Sequence, residues 1–333
     1  MKELRIAGLK ELLQEPKRIA ITNHVNPDGD AMGSALGLYA VLNKLGHDVS
    51  VIVPNDYPEF LKWMPGNNEV IVGQDQTDDA NEKINSADII FHLDYNAYSR
   101  AGELESVLRE SAAIKVLIDH HRQPEQWPDF IFSDISMSST SQMIYELLEM
   151  FEWLEYLDIN SASCLYTGII TDTGSFRFSS TSAKTHKIAA HFMDLGVEPA
   201  KIYNQVFDNN SANRLKLLAD LLQNMEYFPE NGAALLYLTK ENQQKNNYQK
   251  GDSEGFVNYG LSIGGVKFSV FFREENEMIK VSLRSKEDFD VNIIARTYFN
   301  GGGHLNAAGG RLNCSLKEAL DLARNVINQQ SPK

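Results

Sequence analysis

The chain has 333 residues, 43% of them hydrophobic and 23% charged, with a formal net charge of −14. That length exceeds one ordinary core and predicts two domains, and the acidic balance argues against tight, non-specific binding to long nucleic acid. No apolar run approaches the roughly 20 residues of a membrane helix, and two cysteines, Cys164 and Cys314, are too few for a disulfide framework or a zinc ribbon.

Residues 1–18 are amphipathic and charged, with no apolar h-region and no small-residue cleavage site. They are not a signal peptide, and a cytoplasmic protein is expected. Residues 18–22 (RIAIT) read as a buried strand ending at a polar loop, and 34–45 as a helix that stops at Gly46. Residues 48–53, 88–93 and 115–118 read as further strands. Strand and helix alternate, which predicts a parallel sheet with crossovers. Residues 199–227, rich in Asn, Leu, Lys and Gln, read as a helical connector. After Pro229 the texture changes to strand alternation at 233–238, 266–272 and 278–283, closed by a helix near 316–329. The fold class expected is α/β: a Rossmann-like parallel-sheet domain over 1–198, a linker over 199–228, and a smaller α+β domain over 229–333.

The polar residues of interest follow the C-terminal ends of the strands, the edge where open α/β sheets bind ligands. The first group is His24, Asp28 and Asp30 in HVNPDGD, one imidazole and two carboxylates in seven residues. Hard divalent ions favour carboxylates, and imidazole suits transition metals; an Asx-rich turn capping the next helix would use the same residues. Asp94 follows another apolar strand and by itself reads as a turn or cap residue. Asp119-His120-His121 comes straight after a β-branched strand, a placement that surface histidines explain less well. Thr171-Asp172-Thr173-Gly174 follows the apolar 165–170 and is a turn signal as much as a site signal. Gly301-Gly302-Gly303-His304, with Arg284-Ser285 upstream, offers backbone N–H groups to a phosphate. A flexible loop would not explain why a second Gly-Gly pair follows. No βαβ unit with a ribose-binding acid follows either, so this is no dinucleotide fingerprint. His47, His186 and His191 read as surface or helix residues, and Trp63, Trp127 and Trp153 as packing.

Together these five motifs resemble, in order and type, the DHH phosphoesterase family with its C-terminal DHH-associated domain. The resemblance covers nearly the whole chain. The two-domain length and the Arg284-Ser285 pair resemble the NrnA-like branch, whose members degrade very short RNA and dephosphorylate 3′-phosphoadenosine 5′-phosphate. The resemblance implies that His24, Asp28 and Asp94 hold one divalent ion. Asp30, Asp94, His120 and Asp172 hold a second, with Asp94 bridging. Mn2+ is the expected ion, with Mg2+ or Co2+ as substitutes. A water activated between the ions would attack phosphorus. Asp119 would orient His120, and His121 would contact a phosphate or assist proton transfer. Arg284, Ser285, Gly302, Gly303 and His304 would hold the substrate from the second domain. Arg100 and Arg177 are further candidates, though surface or ion-pair arginines would look the same.

The expected partners are short RNA oligonucleotides or small phosphorylated nucleotides, with no membrane and no long duplex. The sequence leaves a homodimer open. Within the family, a cyclic-dinucleotide phosphodiesterase or a single-strand DNA exonuclease is the alternative. A manganese-type pyrophosphatase is argued against by the His304 motif. A non-catalytic nucleotide-binding module would be marked by lost ligands, and all the expected ones are present.

Overall fold

The computed structural model describes residues 2–276, 278–303 and 305–330. The chain divides into two compact units, 1–209 and 210–333. The stretch read as a connector contains two helices, Pro199–Val206 in the first unit and Ala212–Gln223 in the second.

The first unit is built on seven strands: β1 (Lys2–Arg5), β2 (Arg18–Thr22), β3 (Asp48–Val53), β4 (Val70–Val72), β5 (Ile89–Leu93), β6 (Ile114–Asp119) and β7 (Phe130–Asp134). They lie in the order β1-β7-β6-β5-β2-β3-β4. All neighbours are parallel except β1, which runs antiparallel to β7 with Leu4 opposite Phe132. β2 is buried along all but its first residue and β5 along its whole length, as central strands covered on both faces must be. Alternate residues serve two cores: Ile19, Ile21 and Phe91 pack with Met32, Leu36 and Ile169, and Ala20, Ile52 and Ile90 with Ile84, Leu104 and Leu108. Each such Leu, Ile or Phe contributes about 1.5–3 kcal/mol by leaving water.

This strand order positions the site. From β2 the chain moves outward to β3 and β4. It then returns to the other side of β2 as β5, and continues outward as β6 and β7. The crossover directions diverge between β2 and β5, so a crevice opens at their C-terminal ends. The loops carrying His24 and Asp94 leave from those ends.

The helix after β2 runs Gly29–Lys44, longer at its start than the pattern predicts. Asp28 is its cap, accepting from the N–H groups of Asp30 (3.0 Å) and Ala31 (3.1 Å), so Asp30 lies in the first helical turn. This helix packs closely on the helix Ile159–Asp172. A Cβ at Gly33 would lie 2.5 Å from the Cys164 carbonyl oxygen, so only glycine permits the approach. Asp172, a turn signal as much as a site signal in the sequence, is the last residue of this buried helix. His47, read as a surface residue, is 5% exposed. Its Nδ1 accepts the Lys17 N–H at 3.2 Å, because β3 starts underneath the loop before β2. Both cysteines are unpaired.

Among the described residues the second unit has six strands: β8 (Glu226–Phe228), β9 (Ala233–Leu238), β10 (Phe268–Glu274), β11 (Ile279–Ser285), β12 (Gly302–Gly303) and β13 (Ala307–Leu312). Their order is β12-β13-β11-β10-β9-β8, parallel only between β9 and β10. On one face Phe268, Val270, Phe272, Val281 and Leu283 pack against the helices Val291–Tyr298 and Leu316–Gln329. On the other, Ala234, Leu236 and Phe271 meet Leu217 and Leu221 of Ala212–Gln223. Among the described residues no helix is long and apolar enough to cross a membrane.

Candidate metal centre

Six predicted side chains converge at the sheet edge of the first unit. His24 Nε2 lies 3.3 Å from Asp94 Oδ2 and 3.9 Å from Asp28 Oδ2. His120 Nε2 lies 3.2 Å from Asp172 Oδ2, 3.5 Å from Asp94 Oδ1 and 3.9 Å from Asp30 Oδ2. His24, Asp28 and Asp94 form one group, and Asp30, His120 and Asp172 another; within each, the ligand atoms lie within 4.8 Å of one another. Asp94 turns one carboxylate oxygen to each group.

The histidine tautomers follow from their other nitrogens. His24 Nδ1 donates to the Val25 carbonyl at 2.9 Å, and His120 Nδ1 to the Met137 carbonyl at 3.3 Å. Each Nε2 is thereby the nitrogen that faces the carboxylates: protonated, it donates to them, and deprotonated it offers the lone pair a metal requires. Asp94 adopts φ 63, a left-handed conformation that Asp tolerates better than most residues. Its N–H donates to the Ile118 carbonyl at 3.1 Å, which ties the turn after β5 to β6.

The electrostatics are those of crowded acids. Burial, then the charge of Asp94, push the Asp30 carboxyl up to about 7. Burial likewise lifts Asp172 well above the ordinary value, against the pull of His120. Burial opposes ionisation of Asp94 too, but hydrogen bonds from His120 and His24 outweigh it and hold Asp94 well below. Carboxylates this close repel one another, and a cluster of them draws in positive charge, which divalent cations supply. The donors are carboxylate oxygen and imidazole nitrogen, with no thiolate. That set fits Mn2+ or a similar ion and is unlike a structural zinc site.

Asp119 differs from expectation. Its Oδ1 accepts from His121 Nδ1 at 2.6 Å and its Oδ2 from the His121 N–H at 2.8 Å, so it orients His121, not His120. The reason is reach: a carboxylate two residues before His121 closes an Asx turn onto that residue's own backbone. Burial and then the Arg100 charge keep the His121 imidazole below its ordinary value, against the pull of Asp119. Arg100 is thereby beside the centre, and its carbonyl accepts the Val25 N–H at 2.8 Å. Arg177 is exposed and donates through Nε to the Gly174 carbonyl at 2.6 Å, a contact within its own turn.

Sequence reasoning missed the start of the helix Thr140–Met150. The N–H groups of Thr140 and Ser141 donate to the two oxygens of Asp30 at 2.6 and 2.9 Å, and the Thr140 hydroxyl donates to Asp94 Oδ1 at 3.0 Å. The run Ser138-Ser139-Thr140-Ser141 before an apolar period was the available signal, since such residues mark helix starts.

In the second unit the glycines have a packing reason. A Cβ at Gly301 would lie 1.8 Å from the Gly309 carbonyl oxygen, so the first glycine run and the second Gly-Gly pair need each other. The Gly303 N–H donates to Asn292 Oδ1 at 2.9 Å. The Ser285 hydroxyl donates to the Phe289 carbonyl at 2.6 Å and accepts from Asn306 Nδ2 at 2.9 Å. Both groups are thus used in holding the loop. Arg284 Nη1 donates to the Leu283 carbonyl at 3.0 Å. His304 lies outside the described residues.

The N-terminal domain of the DHH family matches residues 18–169, and the DHHA1 domain matches 230–330. A bifunctional oligoribonuclease and PAP phosphatase, NrnA, of Bacillus subtilis is 32% identical over 295 residues, 88% of this chain and 89% of the relative. Its namesake from Thermus thermophilus is 31% identical over 315 residues, 94% of this chain and 90% of that protein. Among solved structures, an exopolyphosphatase-related protein from Bacteroides fragilis superposes with a TM-score of 0.94 at 40% identity, over 97% of this chain and 95% of its own.

Proposed function

The chain belongs to the DHH family and is a phosphoester hydrolase, and we propose that it cleaves short oligoribonucleotides and 3′-phosphoadenosine 5′-phosphate at a centre of two divalent cations. The observation that carries the two-cation reading is Asp94, whose oxygens face two separate ligand groups. The substrates rest on the two NrnA relatives, each matched over most of its length.

His24, Asp28 and Asp94 would hold one cation, and Asp30, Asp94, His120 and Asp172 the other, with Mn2+ the best fit to the donors. Bound there, the cations make a water acidic and offset charge on the phosphoryl oxygens. Val25 and Met137 carbonyls keep His24 and His120 in the ligating tautomer. His121, its Nδ1 proton engaged by Asp119, would take a proton from the attacking water through Nε2 and return it to the leaving oxygen. Arg100 contacts a phosphoryl oxygen near His24 and His121. Arg284, Gly302 and His304 take a further phosphate of the substrate, while Ser285 and Gly303 shape that loop. Arg177 is retained as a weaker candidate. The acidic surface disfavours long polyanions and leaves dinucleotides little affected.

The test is a rate comparison in Mn2+ among pApA, a pentanucleotide RNA, an RNA of about two dozen nucleotides and 3′-phosphoadenosine 5′-phosphate. Fast loss of the short substrates, removed by Asp119→Ala, supports the reading. Activity confined to the long RNA, or on none of the four, would overturn it.

A further inference from the structure

Thr140 is fully buried and touches two acids that arrive from different strand ends. Its backbone N–H reaches Asp30 in the first turn of the helix after β2, and its hydroxyl reaches Asp94 in the turn after β5. The helix it begins already has its own cap, because Ser139 Oγ accepts the Gln142 N–H at 3.0 Å. The Thr140 and Ser141 N–H groups therefore serve Asp30, with the positive end of the helix behind them. The side chain of Thr140 is a separate device. A carboxylate that bridges two ions must hold one oxygen toward each, and rotation about its Cβ–Cγ bond would spoil both contacts. The Thr140 hydroxyl donates to Oδ1, the oxygen that faces His120, and leaves Oδ2 facing His24. Gly168 leaves room beside this helix start, since a Cβ there would lie 1.9 Å from Ser141 Oγ and 2.7 Å from Asp30 Oδ1.

We propose that Thr140 is a positioning residue whose hydroxyl fixes the orientation of Asp94 between the two cations. This rests on the two-cation reading. Hydrogen-bond partners of metal ligands are worth about 10- to 100-fold in affinity. Valine has the shape of threonine and keeps the N–H bond to Asp30, so Thr140→Val removes the hydroxyl alone; Thr140→Ser restores it.

The experiment is calorimetric titration of metal-stripped full-length protein with Mn2+, wild type against Thr140→Val, Thr140→Ala and Thr140→Ser, with thermal melts to confirm folding. The expected result is a loss of about 10-fold or more in affinity for one ion in the valine and alanine variants, with serine near wild type. Should valine fail to fold, alanine carries the same test. Two ions bound with wild-type affinity by a folded valine or alanine variant would overturn the inference alone. Wild-type protein that takes up fewer than two ions would overturn the two-cation reading, and the inference with it.

Discussion

Asp119 grips His121 at two points, its Oδ1 2.6 Å from the ring Nδ1 and its Oδ2 2.8 Å from the backbone nitrogen. It does not orient the neighbouring His120, whose Nδ1 is held by a carbonyl. On the proposed reading Asp119 would act on proton exchange rather than on metal retention. Asp119→Asn should lower kcat on pApA by about 100-fold or more while the protein still takes up two Mn2+. Loss of an ion in calorimetry would return Asp119 to a role behind His120.

The glycine motif of the second unit predicts a sharp asymmetry. At Gly301 a Cβ would meet a backbone oxygen at 1.8 Å, whereas at Gly309 its nearest neighbour would be the Val281 carbonyl oxygen at 3.5 Å, an ordinary contact. Gly301→Ala should cost about 1–3 kcal/mol or more through forced backbone movement, and Gly309→Ala much less. Urea melts of the two variants check this. Equal stabilities would mean that the triplet is kept for phosphate access rather than packing.

His47 predicts acid sensitivity remote from the metal centre. Burial, and the nearby Lys17, hold its imidazole below the ordinary 6.5. A depressed value means the folded chain binds this proton less readily than the unfolded chain. The stability is present above pH 6.5 and is lost as pH falls through the folded value. His47→Gln should flatten that part of the stability-against-pH curve, measured by thermal melts of metal-free protein. An unchanged slope would show that His47 titrates as it does in the unfolded chain.

Much of the centre was legible because its signals are local. An acid directly after an apolar strand marks a sheet edge, and this places His24, Asp28, Asp94 and Asp119 there from the sequence alone. Asp172 was legible as an acid after apolar residues, but its helix was not, since a short buried run has no distinguishing period. Thr140 was not legible as a partner of Asp30, because 110 residues separate them. The choice between His120 and His121 for Asp119 depended on an Asx turn that spacing alone leaves open. Gly303 read as an open N–H donor because nothing marks Asn292, eleven residues earlier, as its acceptor.

On the proposed reading Asp94 joins two cations into one hydrolytic centre. The most direct measurement is a calorimetric Mn2+ titration of metal-stripped wild type and Asp94→Asn, with pApA turnover followed on the same samples. Wild type should bind two ions and turn over substrate, and Asp94→Asn should hold at most one ion tightly, with turnover abolished. Two ions bound with wild-type affinity and undiminished turnover in Asp94→Asn would contradict it.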